Sequence, residues 1–293
     1  MTHVLRPLLF LAMLFVVVAS SCKKEDGGAM KRTTKAGKPA YNNAYALSLD
    51  GTTMYAFNTS TPEHTETVKL QTKSGEGVMF LTIDFRPATG KLYGLGFLSG
   101  SDMQHPVLNL YTIDPKTGVV NRISGNGVAV AQSSINVMSF DPLKDRIRFS
   151  STDSLVHQLF LEADYHLNPA PVANAQNIPV KTAMLASAHT NSFNTAQGTT
   201  FYSYFSDGNL YQQNGGMLMK TGPVYAQKTG QKLMLNNLEI SGLDNVAHTI
   251  TAYTSGDNYL FTIDLATGAA TEAGRFAYPA RALAIEPEVY QIL

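Results

Sequence analysis

The fold of this chain is decided by residues 83–94, which have the sequence IDFRPATGKLYG. Alternating apolar residues flank a Pro-Ala-Thr-Gly segment, and this pattern predicts two antiparallel strands joined by a tight turn. Residues 110–118, LYTIDPKTG, predict a third strand and a second turn. Because variants of both segments recur along the chain, we expect one structural unit to be copied around a ring.

The copies are recognisable at both turns. The LYTID sequence at 110–114 returns as LFTID at 260–264, each followed by Thr-Gly, while IDFRP at 83–87 returns as MSFDP at 138–142. The Asp that ends each LYTID-type strand can cap the turn with its side chain, so we interpret these acids as structural and not as metal ligands. Copies lie roughly 45 to 57 residues apart, a spacing typical of four-stranded propeller blades.

The two ends of the chain complement each other. The first repeat starts at residue 44 without its inner strand, and the last repeat stops after its inner strand near residue 285. Pairing these ends would close the ring. We therefore predict an all-β propeller of five four-stranded blades, formed by residues 44–72 with 280–288, 78–124, 134–180, 182–224 and 234–276.

The N-terminal residues predict export and attachment to a membrane. Residues 1–21 combine Arg6, a short apolar run and small residues, as in a secretory signal peptide, and Cys22 follows directly. This arrangement resembles a bacterial lipobox, which implies acylation of Cys22. An ordinary cleaved signal with an incidental cysteine is the alternative. Residues 22–43 are polar and predict a flexible tether, followed by a single domain at 44–293.

Composition limits the partners of the domain. The net charge is zero, which argues against nucleic-acid binding. We expect a monomer in the bacterial cell envelope, held by lipid on Cys22 at the outer membrane and facing the periplasm or the cell surface. No cofactor is predicted.

Four segments resemble the bacterial family called domain of unknown function 4394. They are residues 83–96, 145–148, 190–193 and 260–271, and the resemblance covers nearly all of 44–287. It implies a propeller-like extracytoplasmic domain. It implies no activity and no catalytic residues, because none is assigned to the family.

Two carboxylates are the strongest candidates for chemistry. When the repeats are aligned on their inner strands, one position holds Asp84, Ser139, Ser187, Glu239 and Ala284. Inner strands line the channel of a propeller, so Asp84 and Glu239 could face each other, as the acid and base of a glycoside hydrolase or lyase do. The structural alternative is that Asp84 bonds neighbouring backbone and Glu239 is solvated.

The remaining candidate ligand residues are polar groups near the same strands. Arg146 and Arg148 lie on one side of a predicted strand, and Arg148 aligns with Tyr45, Tyr93, Tyr202 and Thr251 of the other repeats. We expect Arg148 to stack on an aromatic ring or to pair with Asp141 or Asp145; anion binding is the alternative. His189 and Asn191 end an inner strand and could bind a ligand. No metal site is predicted, because His and acidic residues do not cluster at ligand spacing.

The sequence as a whole therefore predicts a non-catalytic binding or scaffolding module. Its ligand would be a protein, a peptide or a small glycan held over the mouth of the channel. A channel-centred hydrolase that uses Asp84 and Glu239 is one alternative. A purely structural envelope protein is the other.

Overall fold

A computed structural model describes residues 43–98, 107–124, 127–129, 137–150, 156–160, 169–171, 182–214 and 217–287. The predicted signal peptide, Cys22 and the tether up to residue 42 lie outside these residues. The described residues form strands and no α-helices. Among them, therefore, no helix is long and apolar enough to cross a membrane.

The described strands form five small sheets. The first has the order β23-β1-β2-β3 and contains Asn43–Ser48 (β1), Thr53–Asn58 (β2), Thr61–Lys69 (β3) and Ala280–Ile285 (β23). The second contains Gln71–Thr72 (β4), Val78–Arg86 (β5), Lys91–Leu98 (β6), Val107–Ile113 (β7), Val119–Arg122 (β8) and Val128–Ala129 (β9). Its order is β4-β8-β7-β6-β5, with β9 paired to β7.

The other three sheets follow in chain order. The third contains Val137–Asp141 (β10), Arg146–Ser150 (β11), Val156–Phe160 (β12) and Pro169–Pro171 (β13). The fourth contains Met184–His189 (β14), Phe201–Phe205 (β15), Asn209–Asn214 (β16) and Met217–Pro223 (β17). The fifth, of order β18-β22-β21-β20-β19, contains Tyr225–Ala226 (β18), Glu239–Ile240 (β19), Ala247–Ala252 (β20), Asn258–Ile263 (β21) and Ala269–Arg275 (β22).

The inner strands of the sheets form a closed ring. Strand β23 contacts β5, β5 contacts β10, β10 contacts β14, β14 contacts β19, and β19 contacts β23. The ends of the chain meet as predicted, because Ile285 of β23 pairs with Ala44 of β1, and the Glu286 N–H donates to the Asn43 carbonyl (2.9 Å). The predicted all-β propeller and its closure are therefore confirmed.

The prediction of four strands in every sheet is wrong for two of them. Strand β4 pairs in parallel with β8, and β18 pairs in parallel with β22. Strands β4 and β18 have two residues each and come from the segments that lead into their own sheets, while β9, the sixth strand of the second sheet, follows β8. Strands β4 and β18 cover the outer edge of the second and fifth sheets, which would otherwise expose unpaired backbone groups.

The turns follow the chemistry that their sequences predict. The Asp114 carboxylate accepts hydrogen bonds from the Lys116 and Thr117 N–H groups (2.9 and 3.2 Å), and Gly118 has φ +71°. The equivalent Asp264 accepts from the Ala266 N–H (2.8 Å). These aspartates are thus turn caps.

Apolar side chains between neighbouring sheets hold the ring together. One cluster joins the first and second sheets through residues such as Leu47, Phe80 and Phe85. Another joins the fourth and fifth sheets through Tyr204, Leu210 and Phe261. The core therefore lies between the sheets and surrounds the inner strands.

Candidate functional site

The predicted channel position lies on the inner strands at one level of the ring. Asp84, Ser139, Ser187, Glu239 and Ala284 are all buried. Opposite them on the second strand of each sheet lie Tyr93, Arg148, Ser203, His248 and Tyr45, respectively.

This register corrects two alignments of the sequence. Tyr45 and Tyr93 share the position of Arg148, as predicted, but Tyr202 and Thr251 do not. In the fourth sheet Ser187 pairs with Ser203, and Tyr202 pairs with Ala188. In the fifth sheet His248, and not Thr251, pairs with Glu239.

Asp84 joins two sheets at the centre of the ring. Its Oδ2 accepts a hydrogen bond from the Phe140 N–H of β10 (2.7 Å), and only 4% of the residue is exposed. Burial raises the pKa of Asp84 to about 7, although the N–H groups of Phe140 and Phe85 oppose this shift. This hydrogen bond from the Phe140 N–H is the structural alternative that the sequence analysis gave for Asp84.

Glu239 is the second buried acid of the channel. It is 7% exposed, so the predicted alternative of a solvated Glu239 is wrong. Burial raises its pKa well above the ordinary value, and the nearby charge of Asp84 raises it further. The charge of Asp84 therefore reaches Glu239 inside the ring.

The surroundings of this pair do not suit a glycosidase. The two catalytic carboxyls of a glycosidase must flank a substrate in an open site. The pocket that opens among the inner strands, between Ile83, Met138 and Leu283, has a volume of about 10 Å³, room for roughly one water molecule. Neither Asp84 nor Glu239 lines it.

Arg148 lies between the third and fourth sheets. Its guanidinium is 4.9 Å from the centre of the Phe201 ring, Nη1 donates to Gln213 Oε1 (2.6 Å), and Nη2 is 3.9 Å from Asp141 Oδ2. Arg148 thus both stacks on an aromatic ring and approaches Asp141, and these contacts match the expected structural role. Asp145 instead pairs with Arg86.

Arg146 and His189 adjoin Arg148. Arg146 Nε is 3.7 Å from Asp141 Oδ2, and His189 Nδ1 hydrogen-bonds with Ser139 Oγ (2.8 Å). Burial, together with the charges of Arg148 and Arg146, lowers the pKa of His189 to about 3, although the charge of Asp141 opposes this shift. A neutral His189 inside the ring joins two sheets and is only 3% exposed.

Asn191 contacts the fifth sheet at the edge of the ring. Its N–H donates to Asn245 Oδ1, and its Oδ1 accepts from Asn245 Nδ2, both at 2.7 Å. Both asparagines have positive φ, +54° and +60°. Asn191 is therefore part of a contact between sheets. The six candidates thus form no single site: Asp84 and Glu239 are near each other, Arg146, Arg148 and His189 form a second group, and Asn191 is separate from both.

Sequence reasoning missed several partners of these residues. Phe201 and Gln213 come from a different repeat than Arg148, which they contact, and no local pattern marks them. Among the described residues, no group of three or more His, Cys, Asp or Glu side chains is placed to hold a metal ion.

The fold defines the class of protein, a closed all-β propeller. The chain belongs to the family described as domain of unknown function 4394, whose model matches residues 36–284. No curated protein sequence matches it significantly.

Several solved structures are similar in part. TolB from Acinetobacter baumannii is 14% identical with a TM-score of 0.45, and the match covers 82% of this chain and 54% of TolB. The chain thus spans about half the length of TolB. The Malassezia sympodialis allergen Mala s 1 is 9% identical with a TM-score of 0.40, over 78% of this chain and 73% of the allergen. The extracellular domain of the putative hybrid two-component system BT4673 from B. thetaiotaomicron is 10% identical with a TM-score of 0.39, over 82% of this chain and 28% of that one.

Proposed function

We propose that the protein is a non-catalytic binding or scaffolding module of the bacterial cell envelope, a monomer anchored through lipid on Cys22. The main support is the state of the channel. Asp84 and Glu239 are buried, and among the described residues the pocket between the inner strands holds about one water and is lined by neither of them. Ligand recognition then belongs to the outer surface of the ring.

Binding is tested with the full-length protein, extracted in detergent and applied to arrays of glycans and of peptides. Specific retention of one ligand class supports the proposal. Retention of no ligand on either array contradicts it and favours a purely structural envelope protein.

The hydrolase alternative is tested with the same preparation. If the channel is purely structural, the wild type and Asp84→Asn should give the same background release of sugar from polysaccharides. Release that Asp84→Asn or Glu239→Gln abolishes would establish the hydrolase and contradict the proposal.

Anchoring is tested in cells fed with radiolabelled palmitate. The wild type should incorporate label and partition with membranes. Cys22→Ala should remain unlabelled, because it lacks the thiol that is acylated. Equal labelling of both proteins would contradict the lipid anchor.

A further inference from the structure

Two surface pockets flank the loop at residues 253–257, which joins β20 to β21. The first, called here the rim pocket, has a volume of about 400 Å³, and its lining includes Glu63, Asp257, Asn258 and Arg275. The second has about 420 Å³ and includes Lys228, Tyr253, Thr271 and Glu272. Both are far larger than the channel pocket.

The polar groups of the second pocket are already paired with each other. The Tyr253 hydroxyl donates to Glu272, Lys228 Nζ is 3.3 Å from Glu272, and the Thr271 hydroxyl donates to Gln227 (2.9 Å). A ligand there would have to break these contacts. The second pocket is therefore the weaker candidate.

The rim pocket has polar groups that remain available. Arg275 Nη2 donates to Asp257 Oδ1 (2.7 Å), and both side chains remain largely exposed, so a ligand can still reach their other polar atoms. The Asn258 side chain makes no hydrogen bond with the described residues, and among the same residues the ion-pair contact of Glu63 is His64, at 3.9 Å. A carboxylate, a carboxamide and a guanidinium thus present both donors and acceptors in one cavity.

Glu63 brings a second sheet to this pocket. A Cβ atom placed on Gly274 of β22 would lie 3.6 Å from Glu63 Oε2 and 2.5 Å from the Pro62 ring. Strand β3 of the first sheet therefore packs directly against β22 of the fifth. The rim pocket is formed where the two sheets meet, which is the kind of place where binding sites commonly occur.

An aromatic ring lies beside the pocket in a fixed orientation. Tyr278 follows the pocket residues 275–277 and stacks on Tyr55, with ring centres 4.2 Å apart and planes 2° from parallel. Phe276 makes T-shaped contacts with both of these rings. Tyr278 is nevertheless 37% exposed, so part of the residue is open to solvent beside the pocket.

We propose that the rim pocket binds a saccharide. A sugar ring has an apolar face of C–H groups, which packs on an aromatic ring, and a rim of hydroxyls, each of which donates and accepts hydrogen bonds. Tyr278 offers the first surface, and Asp257, Asn258, Glu63 and Arg275 offer partners for the second. Their charges sum to minus one, from two carboxylates and one guanidinium, so the site favours neutral sugars and amino sugars over uronic acids.

This inference rests on the proposed binding function and assigns it a site and a ligand class. It is tested by calorimetry on the full-length protein in detergent with maltotriose, the glucosamine trimer and trigalacturonate. We expect binding of maltotriose or of the glucosamine trimer, and at least tenfold weaker binding of trigalacturonate. Binding of none of the three, or preference for trigalacturonate, overturns the assignment.

Variants of the same protein locate the site. Tyr278→Ala should weaken binding about tenfold, because the stacking face is lost, while Tyr278→Phe should stay within about twofold. Asn258→Ala should weaken binding, and Lys228→Ala in the second pocket is the matched control that should leave it unchanged. Equal affinity in wild type and Tyr278→Ala overturns the proposal, provided that thermal melts show both folded.

These experiments distinguish failure of the saccharide site from failure of the proposed binding function. Retention on the peptide array without saccharide binding overturns the saccharide site and leaves the binding function standing. Saccharide binding that responds to Tyr278 supports both. Retention on no array together with no calorimetric signal overturns both.

Discussion

At the scale of single residues, burial decides what the polar groups of the channel can do. In water an aspartate side chain titrates near pH 4 and a histidine side chain near pH 6.5, and both Asp84 and His189 are almost fully buried here. Burial disfavours the charged form of each group, so it moves their pKa values in opposite directions. Asp84 is therefore neutral below about pH 7 and His189 is neutral above about pH 3, and each uses a polar atom for a contact between sheets.

This arrangement predicts a pH dependence of stability that depends on Asp84. An unfolded aspartate titrates near pH 4, and Asp84 in the ring titrates at about 7. The folded state therefore keeps a proton that the unfolded state loses, and its stability falls as pH rises through this window. Asp84→Asn does not ionise and keeps an oxygen for the Phe140 N–H. Relative to wild type, it should gain on the order of 2 kcal/mol between pH 5 and pH 8.

Denaturant unfolding of both proteins at pH 5 and pH 8 measures this difference. The control is Asp114→Asn, because backbone N–H groups lower the pKa of Asp114 and it is ionised at both pH values. Its stability relative to wild type should not change between them. The comparison must be made between variants, because His189, with its lowered pKa, destabilises the fold as pH falls below about 6.5 and opposes the trend of the wild type. An Asp84→Asn curve parallel to that of wild type contradicts the prediction.

The sequence predicted which residues reach the channel but not what they bond. Alternation along β5 and the repeat alignment place Asp84 and Glu239 at one level, because side-chain period and repeat length are local properties. The partner of Asp84 is a backbone N–H 56 residues away. Its identity depends on how neighbouring sheets are offset, which no local pattern encodes.

At the scale of elements, the same turn geometry joins the inner strand to its neighbour in three sheets, between β5 and β6, β10 and β11, and β19 and β20. Gly90, Asp145 and Asn245 occupy the same left-handed position, with φ of +64°, +47° and +60°. Each also has its N–H bonded to the carbonyl of the residue four places earlier (2.9 Å). Where the residue is not glycine, its side chain contacts the preceding sheet, Asp145 to Arg86 and Asn245 to Asn191. The strained backbone at Asp145 and Asn245 thus coincides with contacts that glycine could not make.

Gly94 of strand β6 lies where any side chain would overlap a neighbouring ring. A Cβ atom on Gly94 would lie 2.5 Å from the Phe80 ring, so Gly94→Ala should destabilise the fold by about 1–3 kcal/mol through overpacking. Adding Phe80→Leu should recover part of the loss, because a smaller side chain vacates the space. Gly198→Ala is the control, since a Cβ there has no neighbour within 4 Å. Chemical denaturation of the four proteins gives the comparison, and equal stability of Gly94→Ala and wild type would be inconsistent with this packing.

Elements were predicted where their pattern is long and were missed where it is short. Strands β5, β6, β7 and β21 contain alternating residues bounded by turn signals, and they form where the sequence places them. Strands β4 and β18 have two residues each, too few for any period. They form because the unpaired backbone groups of β8 and β22 bond with the chain segment that runs beside each of these outer strands.

At the scale of the whole molecule, polar contacts join the sheets at every junction of the ring. Arg281 reaches the Phe80 carbonyl (3.4 Å) between the first and second sheets, and Asp84 joins the second to the third. His189 joins the third to the fourth, and Asn191 the fourth to the fifth. Asn237 donates to the Ala280 carbonyl (3.2 Å) and so connects the fifth sheet to the closing strand β23. Since each sheet depends on two neighbours, we expect the ring to unfold as one unit.

Asn237 gives the sharpest test of this cooperativity. Its amide is 4% exposed, donates to the Ile250 and Ala280 carbonyls and accepts from the Ile250 N–H (2.8 Å). Asn237→Ala leaves these backbone groups buried without partners, at a cost of about 2–4 kcal/mol. If the ring is one cooperative unit, calorimetry should show a single transition at lower temperature, and hydrogen exchange should accelerate on all five inner strands. Asn121→Ala, on the exposed face of β8, should change neither measurement. A separate early transition confined to the fifth sheet and β23 would mean that closure by β23 is local and that the other sheets do not depend on it.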